Sequence, residues 1–364
     1  MSPGERKARV LVVDDSTFVR KALRKVLEAR PGLTVAGEAG DGREAVEMVA
    51  SLQPDVVTLD IQMPGMDGLA ALREIKARWP HVPVLVLASA SSNGPEVVLE
   101  ALSLGAFDFV DKARFRSMDF QLMGDEVVEK VRAGIPGGLP APPPPALPAP
   151  PRPRPPQRAG GPLGRHAEAL CIGASTGGPP ALQALLDRLP ARFPFPIAIV
   201  QHMPVGFTAA FAERLNQTSS LEVREARGGE AFRPGCAFVA PAGQHLVFSR
   251  GDAGAELALS AEPAGLTHVP SVDVLFASAA ETFGSRAIGV VLTGMGSDGR
   301  EGARALSARG APVVAEAESS CAVYGMPRAV VEAGLASAVW TLEEIGTELC
   351  RLSAGAGAAG TGGR

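Results

Sequence analysis

Short apolar runs alternate with longer amphipathic stretches along residues 5–133. The apolar runs predict strands, and the amphipathic stretches predict helices. The predicted strands are Arg9–Asp14, Thr34–Ala39, Val56–Asp60, Val84–Leu87 and Phe107–Val110. The predicted helices are Thr17–Glu28, Gly42–Ser51, Asp67–Arg78, Pro95–Leu104 and Gln121–Arg132. Regular alternation of this kind indicates a parallel sheet with helices on both faces.

The same alternation returns in residues 165–352 and predicts a second α/β domain, doubly wound around a mostly parallel sheet. Its predicted strands are Ala169–Ile172, Ile197–Gln201, Ala287–Leu292 and Pro312–Ala315. The central section, Leu221–Leu259, consists of short apolar pieces separated by Arg-Gly-Gly, Arg-Pro-Gly and Pro-Ala-Gly. Glycine-rich breaks of this kind predict antiparallel hairpins inserted into the sheet.

Residues 134–164, between the two predicted domains, are proline-rich, with thirteen prolines at positions 134–163. We predict a linker of polyproline II geometry, which acts as a semi-rigid spacer. A ligand for a proline-recognition module is the alternative interpretation. The last residues, 353–364, are mostly glycine and alanine, and this composition predicts a disordered tail.

Composition and charge argue against several classes of protein. A net charge of −4 gives no electrostatic footprint for nucleic acid, so we expect no nucleic-acid partner. No apolar run approaches the ~20 residues that span a bilayer, and the first residues lack the apolar core of a signal peptide. We therefore expect a cytoplasmic protein without direct membrane insertion. The four cysteines are far apart and form no CxxC pair, which indicates neither a zinc site nor a disulfide framework.

Acidic residues lie at the ends of two strands predicted in residues 5–133. Asp14 and Asp15 follow the first strand and Asp60 ends the third, so in a parallel sheet all three meet at one crevice. Three converging carboxylates repel one another unless a cation is present, and oxygen ligands suit Mg²⁺. Lys112, at the end of the fifth strand, is placed to supply a fixed positive charge. Any one of these acids, taken alone, is as well explained as a helix cap or a solvated loop residue.

Three motifs make the first domain resemble the receiver domain of bacterial response regulators. They are Val10–Asp15, Asp60-Ile61-Gln62-Met63-Pro64-Gly65-Met66-Asp67-Gly68 and Gly105-Ala106-x-Asp108-Phe109-Val110-x-Lys112. The resemblance implies a flavodoxin-like five-stranded parallel fold, with Asp60 accepting a phosphoryl group from a histidine kinase. It also implies that Asp14 and Asp15, together with Asp60, hold Mg²⁺. Lys112 is then the residue that contacts the phosphoryl oxygens.

The first domain departs from the receiver family at two positions. Ala88 occupies the usual place of the switch threonine or serine, with Ser89 beside it as a candidate substitute hydroxyl. Ala113 follows Lys112, at a position where the family usually has proline, so we expect no cis peptide bond there.

The segment Ile172–Pro179 places the hydroxyl of Ser175 in a glycine-rich turn, between a predicted strand and a predicted helix over Ala181–Leu186. Gly173-x-Ser175-x-Gly177 fits a nucleophile elbow, in which glycines permit a tight bend and helix-start N–H groups point outward. Such turns also occur without covalent chemistry. A dinucleotide-binding turn is a second alternative, but it requires an acid about 20 residues on, where this chain has Gln201-His202 at a strand end.

A serine hydrolase also needs a base and an acid that orients the base. His202 follows the next strand in sequence and is the predicted base. His245 and His268 lie in a hairpin and a loop, where a structural role is the commoner one. Asp298, in the glycine-rich turn Thr293–Gly299 after another strand, is the predicted acid, with a helix cap as the alternative role. The chain order Ser, His, Asp differs from the order in α/β-hydrolases.

A second resemblance covers nearly all of residues 168–335. It rests on Ile172–Pro179, Gln201-His202-Met203-Pro204-x-x-Phe207-Thr208, Pro234-Gly235, Ala240-Pro241, Pro270-Ser271-Val272-Asp273, Thr293–Gly299 and Tyr324-Gly325-Met326-Pro327. These residues resemble the catalytic domain of chemotaxis protein-glutamate methylesterases, the CheB family. Ser175, His202 and Asp298 fall on the family's triad. Thr176 lies beside the nucleophile, and Met295 falls on a residue that lines the site.

The CheB resemblance implies a reaction and its partners. The reaction is hydrolysis of γ-glutamyl methyl esters on methyl-accepting chemoreceptors, together with deamidation of receptor glutamines, and the phosphodonor is a histidine kinase of the CheA type. Ester hydrolysis by a triad needs no metal or other cofactor. Glu316-Ala317 stands where the family usually has Gln-Asp, and Arg300 stands where a small residue is common.

The alternative function is a response regulator whose second domain is a non-catalytic, protein-binding output. The presence of serine, histidine and aspartate at all three triad positions argues against this interpretation.

Overall fold

The structure of the protein is a computed structural model that describes residues 7–88, 90–112, 120–135, 163, 167–251 and 254–359. The chain divides into two compact units between Pro148 and Ala149. This division falls inside the segment that the sequence predicts as a linker, residues 134–164. Each unit has its own sheet and its own hydrophobic core.

The first unit is a five-stranded parallel sheet with helices on both faces. Its strands are β1 (Ala8–Val13), β2 (Leu33–Ala39), β3 (Val56–Asp60), β4 (Val84–Ala88) and β5 (Asp108–Asp111). Its helices are α1 (Thr17–Glu28), α2 (Gly42–Leu52), α3 (Gly68–Arg78), α4 (Ala90–Ser103) and α5 (Phe120–Gly134). The strand order is β2-β1-β3-β4-β5, with every neighbouring pair parallel. This is the flavodoxin-like order, so the predicted fold of the first unit is confirmed.

Local signals set the starts of the helices in this unit. The Asp41 carboxylate accepts hydrogen bonds from two backbone N–H groups at the start of α2, and the Asp67 carboxylate accepts one from the Ala70 N–H at the start of α3. The regular part of α4 begins at Pro95, as predicted, because Gly94 before it has a φ of +69° and interrupts the helix. Helix α1 places Leu23 and Leu27 on one face, where both are fully buried.

The second unit has a seven-stranded main sheet. The nine strands described for this unit, two of which form a separate hairpin, are β6 (Ala169–Ala174), β7 (Ile197–Gln201), β8 (Glu222–Glu225), β9 (Cys236–Val239), β10 (His245–Gly251), β11 (Gly254–Ser260), β12 (Ala287–Val291), β13 (Val313–Glu316) and β14 (Ala338–Trp340). Its helices are α6 (Gly178–Leu186), α7 (Thr208–Thr218), α8 (Val272–Phe283), α9 (Arg300–Ala308), α10 (Met326–Glu332) and α11 (Leu342–Ala359). The main sheet has the order β14-β13-β12-β6-β7-β9-β8, and all neighbouring pairs are parallel. The predicted doubly wound α/β domain is confirmed.

The central section of this unit differs in detail from the prediction of hairpins inserted into the sheet. β8 and β9 extend the edge of the main sheet in parallel, whereas β10 and β11 pair antiparallel as a separate two-stranded sheet. The connection between β8 and β9 runs beside β11, where the N–H of Gly229 donates to the carbonyl of Leu257 and the N–H of Leu257 donates to the carbonyl of Glu230. These bonds satisfy backbone groups of the connection between β8 and β9. The connection is long enough to return the chain to the same end of the sheet, so β9 pairs with β8 in parallel instead of forming a hairpin.

The separate hairpin packs on helix α8. The rings of Phe248 on β10 and Phe283 on α8 lie 5.0 Å apart between centroids, and the ring of Phe232 lies 4.8 Å from that of Phe248. Full burial of a side chain of this kind contributes about 1.5–3 kcal/mol, and these three rings, each less than a tenth exposed, approach that limit. This packing holds the carboxyl-terminal end of α8 against the hairpin, whereas the start of α8 bonds to Asp298 of the predicted triad.

Helix α11 continues through Ser353 to Ala359, so the first residues of the predicted disordered tail are helical. The alanines of this segment favour a helix, whereas the prediction of disorder gave more weight to its glycines. In the described part of the chain, no helix is both long enough and apolar enough to cross a membrane.

Candidate active site

The carboxyl ends of three adjacent strands carry the three residues of the predicted triad. Ser175 directly follows β6, His202 directly follows β7, and Asp298 lies in the turn between β12 and α9. Because β6 lies between β7 and β12, the serine is flanked by the other two residues. Strand order reverses at this point, which is the usual location of ligand sites in open α/β sheets.

The backbone around Ser175 turns tightly into α6. The Ser175 N–H donates to the Thr293 carbonyl at 3.1 Å, and the Gly178 N–H donates to the Ser175 carbonyl at 2.8 Å. Gly177 has a φ of +75°, and a Cβ there would lie 2.4 Å from the Cβ of Ala322. Both conformation and space therefore require glycine at position 177. The turn leaves Ser175 partly exposed, as a nucleophile must be.

A second glycine-rich turn, Thr293–Gly299, packs directly against the serine turn. A Cβ at Gly294 would lie 2.8 Å from the Cβ of Ser175 and 2.5 Å from the sulfur of Met326. Glycine at position 294 thus permits the close approach of the two turns. Met295, the predicted site-lining residue, is half-buried in this second turn.

Buried polar groups tie the two turns together. The Thr293 hydroxyl donates to the carbonyl of Thr176 at 2.9 Å, and the Thr293 N–H donates to the Glu316 carboxylate at 2.7 Å. Ser320 also donates to Glu316, at 2.9 Å. Burial raises the pKa of Glu316 against the effect of these hydrogen bonds. Thr176, next to the predicted nucleophile, is itself buried and contributes its carbonyl to this network.

Asp298 accepts hydrogen bonds at both carboxylate oxygens. Oδ1 accepts from the Ser271 hydroxyl at 2.8 Å and the Asp273 N–H at 2.9 Å. Oδ2 accepts from the Val272 N–H at 2.7 Å and lies 2.8 Å from His202 Nε2. Burial alone would raise the pKa of this carboxyl, but the hydrogen bonds from His202 and the start of α8 hold the pKa well below its ordinary value. Asp298 is therefore ionised, as an acid that orients a base must be.

His202 is held at both its backbone and its ring. Gln201 Nε2 donates to the carbonyls of Ser175 at 2.9 Å and His202 at 3.1 Å. An ionised carboxylate only accepts, so the Nε2 atom that faces Asp298 carries the ring proton. His202 Nδ1 is buried and has no hydrogen-bond partner within the described part of the chain. The arrangement leaves the Nδ1 lone pair as the basic position of the ring.

The imidazole of His268 stacks on that of His202, with ring centroids 4.1 Å apart and an interplanar angle of 10°. Burial, together with the charge of His202, lowers the pKa of His268 to about 4. His268 is therefore neutral at pH 7 and forms one wall of the site. The loop that carries it is in direct contact with the predicted base.

We expect the second unit to lose stability as the pH falls from about 6.5, the ordinary pKa of histidine, towards about 4, because the unfolded chain binds a proton at position 268 more readily than the folded chain does. His268→Phe keeps a flat ring that cannot be protonated, while His202 and Asp298 stay in place. The variant should therefore lose less stability over this window. Urea midpoints measured at pH 7 and pH 5 test the prediction, and equal losses in the two proteins would contradict it.

His245, a histidine of the same unit, and Asp273, an acid next to Asp298, make side-chain contacts that do not involve the ring of His202. His245 is fully buried, with Nδ1 accepting from the Ser271 N–H at 3.1 Å and Nε2 lying 3.3 Å from the Pro263 carbonyl. The Asp273 carboxylate accepts from the Gly302 N–H at 2.7 Å. These contacts support the start of α8 and the loop before it rather than the base.

In the first unit, Asp14, Asp15 and Asp60 offer three carboxylate oxygens within 4.8 Å of one another. Lys112 Nζ lies 2.8 Å from Asp14 Oδ2 and 2.8 Å from Asp60 Oδ2. Burial raises the pKa of Asp60 against the effect of the lysine, and hydrogen bonds to the two carboxylates raise the pKa of Lys112 against the effect of burial. The structure thus brings together the four residues that the sequence placed at one crevice.

Ala88, the residue at the predicted switch position, ends β4 and is buried. Ser89, the candidate substitute hydroxyl, lies outside the described residues, as does Ala113.

Family models match both units of the chain. The response regulator receiver domain model matches residues 10–118, and the CheB methylesterase model matches residues 170–349. A protein-glutamate methylesterase/protein-glutamine glutaminase of Alkalilimnicola ehrlichii is 41% identical to this chain, over an alignment that covers 95% of this chain and 100% of the relative. The chain belongs to the CheB methylesterase family. The predicted family is confirmed.

Other CheB-family proteins support the same relationship. Protein-glutamate methylesterase/protein-glutamine glutaminase 5 of Myxococcus xanthus is 47% identical and covers 90% of this chain and 93% of its own length. The crystal structure of the Thermotoga maritima CheB methylesterase catalytic domain matches with 40% identity and a TM-score of 0.50, covering 51% of this chain and 98% of that chain.

Several residues that hold the CheB-type site together were not predicted from the sequence. Gln201 and Thr293 lie at or just after strand ends, next to residues that were predicted, and this position was the available signal. Ser271 precedes α8 and accepts from the Val274 N–H as an N-cap, a pattern that Pro270-Ser271-Val272-Asp273 already contains. The contact of His268 with the base had no signal in the local sequence.

Proposed function

We propose that this CheB-family protein hydrolyses γ-glutamyl methyl esters on chemoreceptors and so takes part in adaptation of a chemosensory pathway. The observation that carries the proposal is the hydrogen-bonded pair of His202 and Asp298 at strand ends beside Ser175. The names of the relatives support the substrate, because each is a protein-glutamate methylesterase.

In the proposed mechanism, the Ser175 hydroxyl attacks the ester carbonyl while His202 Nδ1 takes its proton. Asp298 stabilises the imidazolium that forms, through the bond to Nε2. His202 then returns the proton to the departing methoxide, and methanol leaves. Water, activated by the same histidine, cleaves the acyl-enzyme and frees the glutamate carboxylate and the serine hydroxyl.

Backbone N–H groups of the two glycine-rich turns are the proposed donors to the developing oxyanion. The supporting observation is the contact between the turns, since Gly294 approaches Ser175 too closely for any side chain. Donors fixed in this way typically contribute a factor of about 10² to 10³ to the rate. We propose that the same donors serve deamidation of receptor glutamines, in which ammonia replaces methanol as the leaving group.

For the first unit, we propose that Asp60 accepts a phosphoryl group from a histidine kinase of the CheA type. The oxygen donor set of Asp14, Asp15 and Asp60 fits Mg²⁺, with Lys112 reaching the phosphoryl oxygens. Mg²⁺ bound there would neutralise charge on the transferred group, the main requirement of phosphoryl transfer. The four free cysteines of the second unit, two of them buried and two partly exposed, fit a reducing compartment and support a cytoplasmic location.

Incubation with acetyl phosphate and Mg²⁺ should label the wild-type protein and raise its methylesterase rate. Asp60→Asn removes the nucleophilic carboxylate oxygen and should abolish both effects, and EDTA should abolish labelling of the wild type. Phosphate-affinity gel electrophoresis measures the labelling, and a methanol assay on the same samples measures the methylesterase rate. Labelling of Asp60→Asn to the wild-type level would contradict the assignment of the phosphoacceptor.

Methanol release from methylated receptors by the purified protein tests the proposed function itself. A non-catalytic, protein-binding output would bind receptors without releasing methanol, whether or not the first unit is phosphorylated.

A further inference from the structure

Three loops beside the predicted base contain no charged residue. They are residues 203–207, 241–244 and 263–270, which together are named here the apolar rim. One fifth of the residues of the whole chain are charged. His268 is the one titratable side chain of the apolar rim, and it is neutral at pH 7 because burial lowers its pKa to about 4.

Contacts on the structure join the three loops into one surface. The first loop follows His202 and the third contains His268, and the two rings stack at 4.1 Å. The second loop connects the others, because the Gly243 N–H donates to the Val269 carbonyl at 3.0 Å and a Cβ at Gly243 would lie 3.6 Å from Val205 Cγ2. The apolar rim therefore adjoins the candidate active site on the side of the base.

The apolar rim also exposes large apolar side chains. Val205 is 75% exposed and Leu266 is 41% exposed. Among the residues that the structure describes, the third exposed large apolar side chain is Phe18, in the first unit. Val205 lies beside Gly243, which bonds to the loop that contains Leu266, so both exposed side chains belong to one surface at the candidate active site. Exposed apolar surface at such a place indicates a surface that binds a partner.

We propose that the apolar rim is the docking surface for the receptor segment that carries the methyl ester, and that Val205 and Leu266 contact small or apolar side chains beside the esterified glutamate. The inference rests on the proposed function and specifies its substrate recognition. The occupant is a protein segment with an uncharged contact face, rather than one with a run of acidic side chains.

Charge complementarity supports this occupant. The ester is neutral, whereas the product of hydrolysis is a carboxylate, and the apolar rim offers no cation to compensate for the water that a carboxylate would lose on docking. The methylated segment should therefore bind better than the demethylated one. The same surface would accept a glutamine side chain, which is neutral as well.

The test compares two substrates, a methylated receptor and a small ester such as N-acetylglutamate γ-methyl ester, in the unphosphorylated full-length protein. For Val205→Ser with Leu266→Ser, the ratio of kcat/KM for the receptor to kcat/KM for the small ester should fall on the order of tenfold, through KM for the receptor. Val205→Ile with Leu266→Met keeps both positions apolar, so this variant should retain the wild-type ratio. Phe18→Ser, which removes an exposed apolar side chain elsewhere, should leave it unchanged.

A second variant tests the charge argument independently. Val205→Lys places a cation on the apolar rim, so the demethylated receptor should become a stronger inhibitor of methanol release than it is for the wild type. The proposal would be overturned by equal losses on both substrates in the double serine variant, or by unaltered product inhibition in Val205→Lys. Failure of the wild type to release methanol from either substrate would instead contradict the proposed function.

Discussion

Replacing Ser175 with alanine is expected to lower the rate of methanol release from methylated receptors by a factor on the order of 10³ or more. The hydroxyl is the proposed nucleophile, and His202 and Asp298 have nothing to activate once it is gone. The fold should survive, because the side chain is partly exposed and the turn is held by backbone bonds of residue 175 that alanine retains. Methanol release and the urea midpoint of the same samples measure the two expectations.

Ser307→Ala is the matched control for this experiment, since Ser307 is an exposed serine on α9. It should turn over at the wild-type rate. Near-normal turnover by Ser175→Ala would show that the nucleophile lies elsewhere, and unfolding of that variant would leave the rate uninterpretable unless Ser175→Cys, which retains a nucleophile, keeps measurable activity. With a stable fold and no activity in Ser175→Ala, the assignment of the nucleophile stands.

Asp298→Asn should lower the methylesterase rate by a factor on the order of 10³, with receptor binding retained. Both carboxylate oxygens accept from donors, with Oδ1 facing Ser271 and Oδ2 facing Val272 and His202. An asparagine NH₂ at the Oδ2 position would face the Val272 N–H and would force His202 Nε2 to accept. The ring proton would then move to Nδ1, where it blocks the lone pair that should receive the serine proton.

Asp273→Asn is the control for Asp298→Asn, because it makes the same chemical change in the first turn of α8, whose backbone bonds to Asp298. The Asp273 carboxylate accepts from the Gly302 N–H, and an asparagine carbonyl can accept that bond equally well. Its loss of rate should stay below about tenfold. If instead Asp273→Asn is the more severe of the two, Asp273 is the acid. Rate constants with methylated receptor, and affinity for the same receptor by calorimetry, separate lost chemistry from lost binding.

Much of the fold could be predicted because the signals are local. Helix α1 occupies the predicted residues Thr17–Glu28, since its apolar side chains repeat with a helical period on one face. Strands β3 and β7 also occupy their predicted residues, because each is a short apolar run that ends in a polar residue. The residues of the predicted triad could be placed at one edge of the sheet for a similar reason, because Ser175 and His202 directly follow strands and Asp298 lies in the turn between β12 and α9.

The remaining features depend on contacts between residues far apart in the sequence. The direction of β8 and β9 is set by a connection that bonds along β11, and no local pattern distinguishes that arrangement from a hairpin. The stacking of His268 on His202 and the bond from Ser271 to Asp298 join segments brought together by the fold of the whole second unit. Single-sequence patterns carry no information on such pairs, so these residues were predicted as loops or not at all.

The most direct test of the central claim is methanol release from methylated receptor in water enriched with ¹⁸O. Cleavage of the acyl-oxygen bond, which the proposed route through Ser175 requires, predicts one ¹⁸O atom in each glutamate carboxylate formed, with unlabelled methanol released in equal amount, and Ser175→Ala in the same labelled water should form neither product. Mass spectrometry of the receptor peptides and of the methanol measures both. Absence of methanol with the phosphorylated wild-type protein, or ¹⁸O found in the methanol instead of the glutamate, would contradict the account.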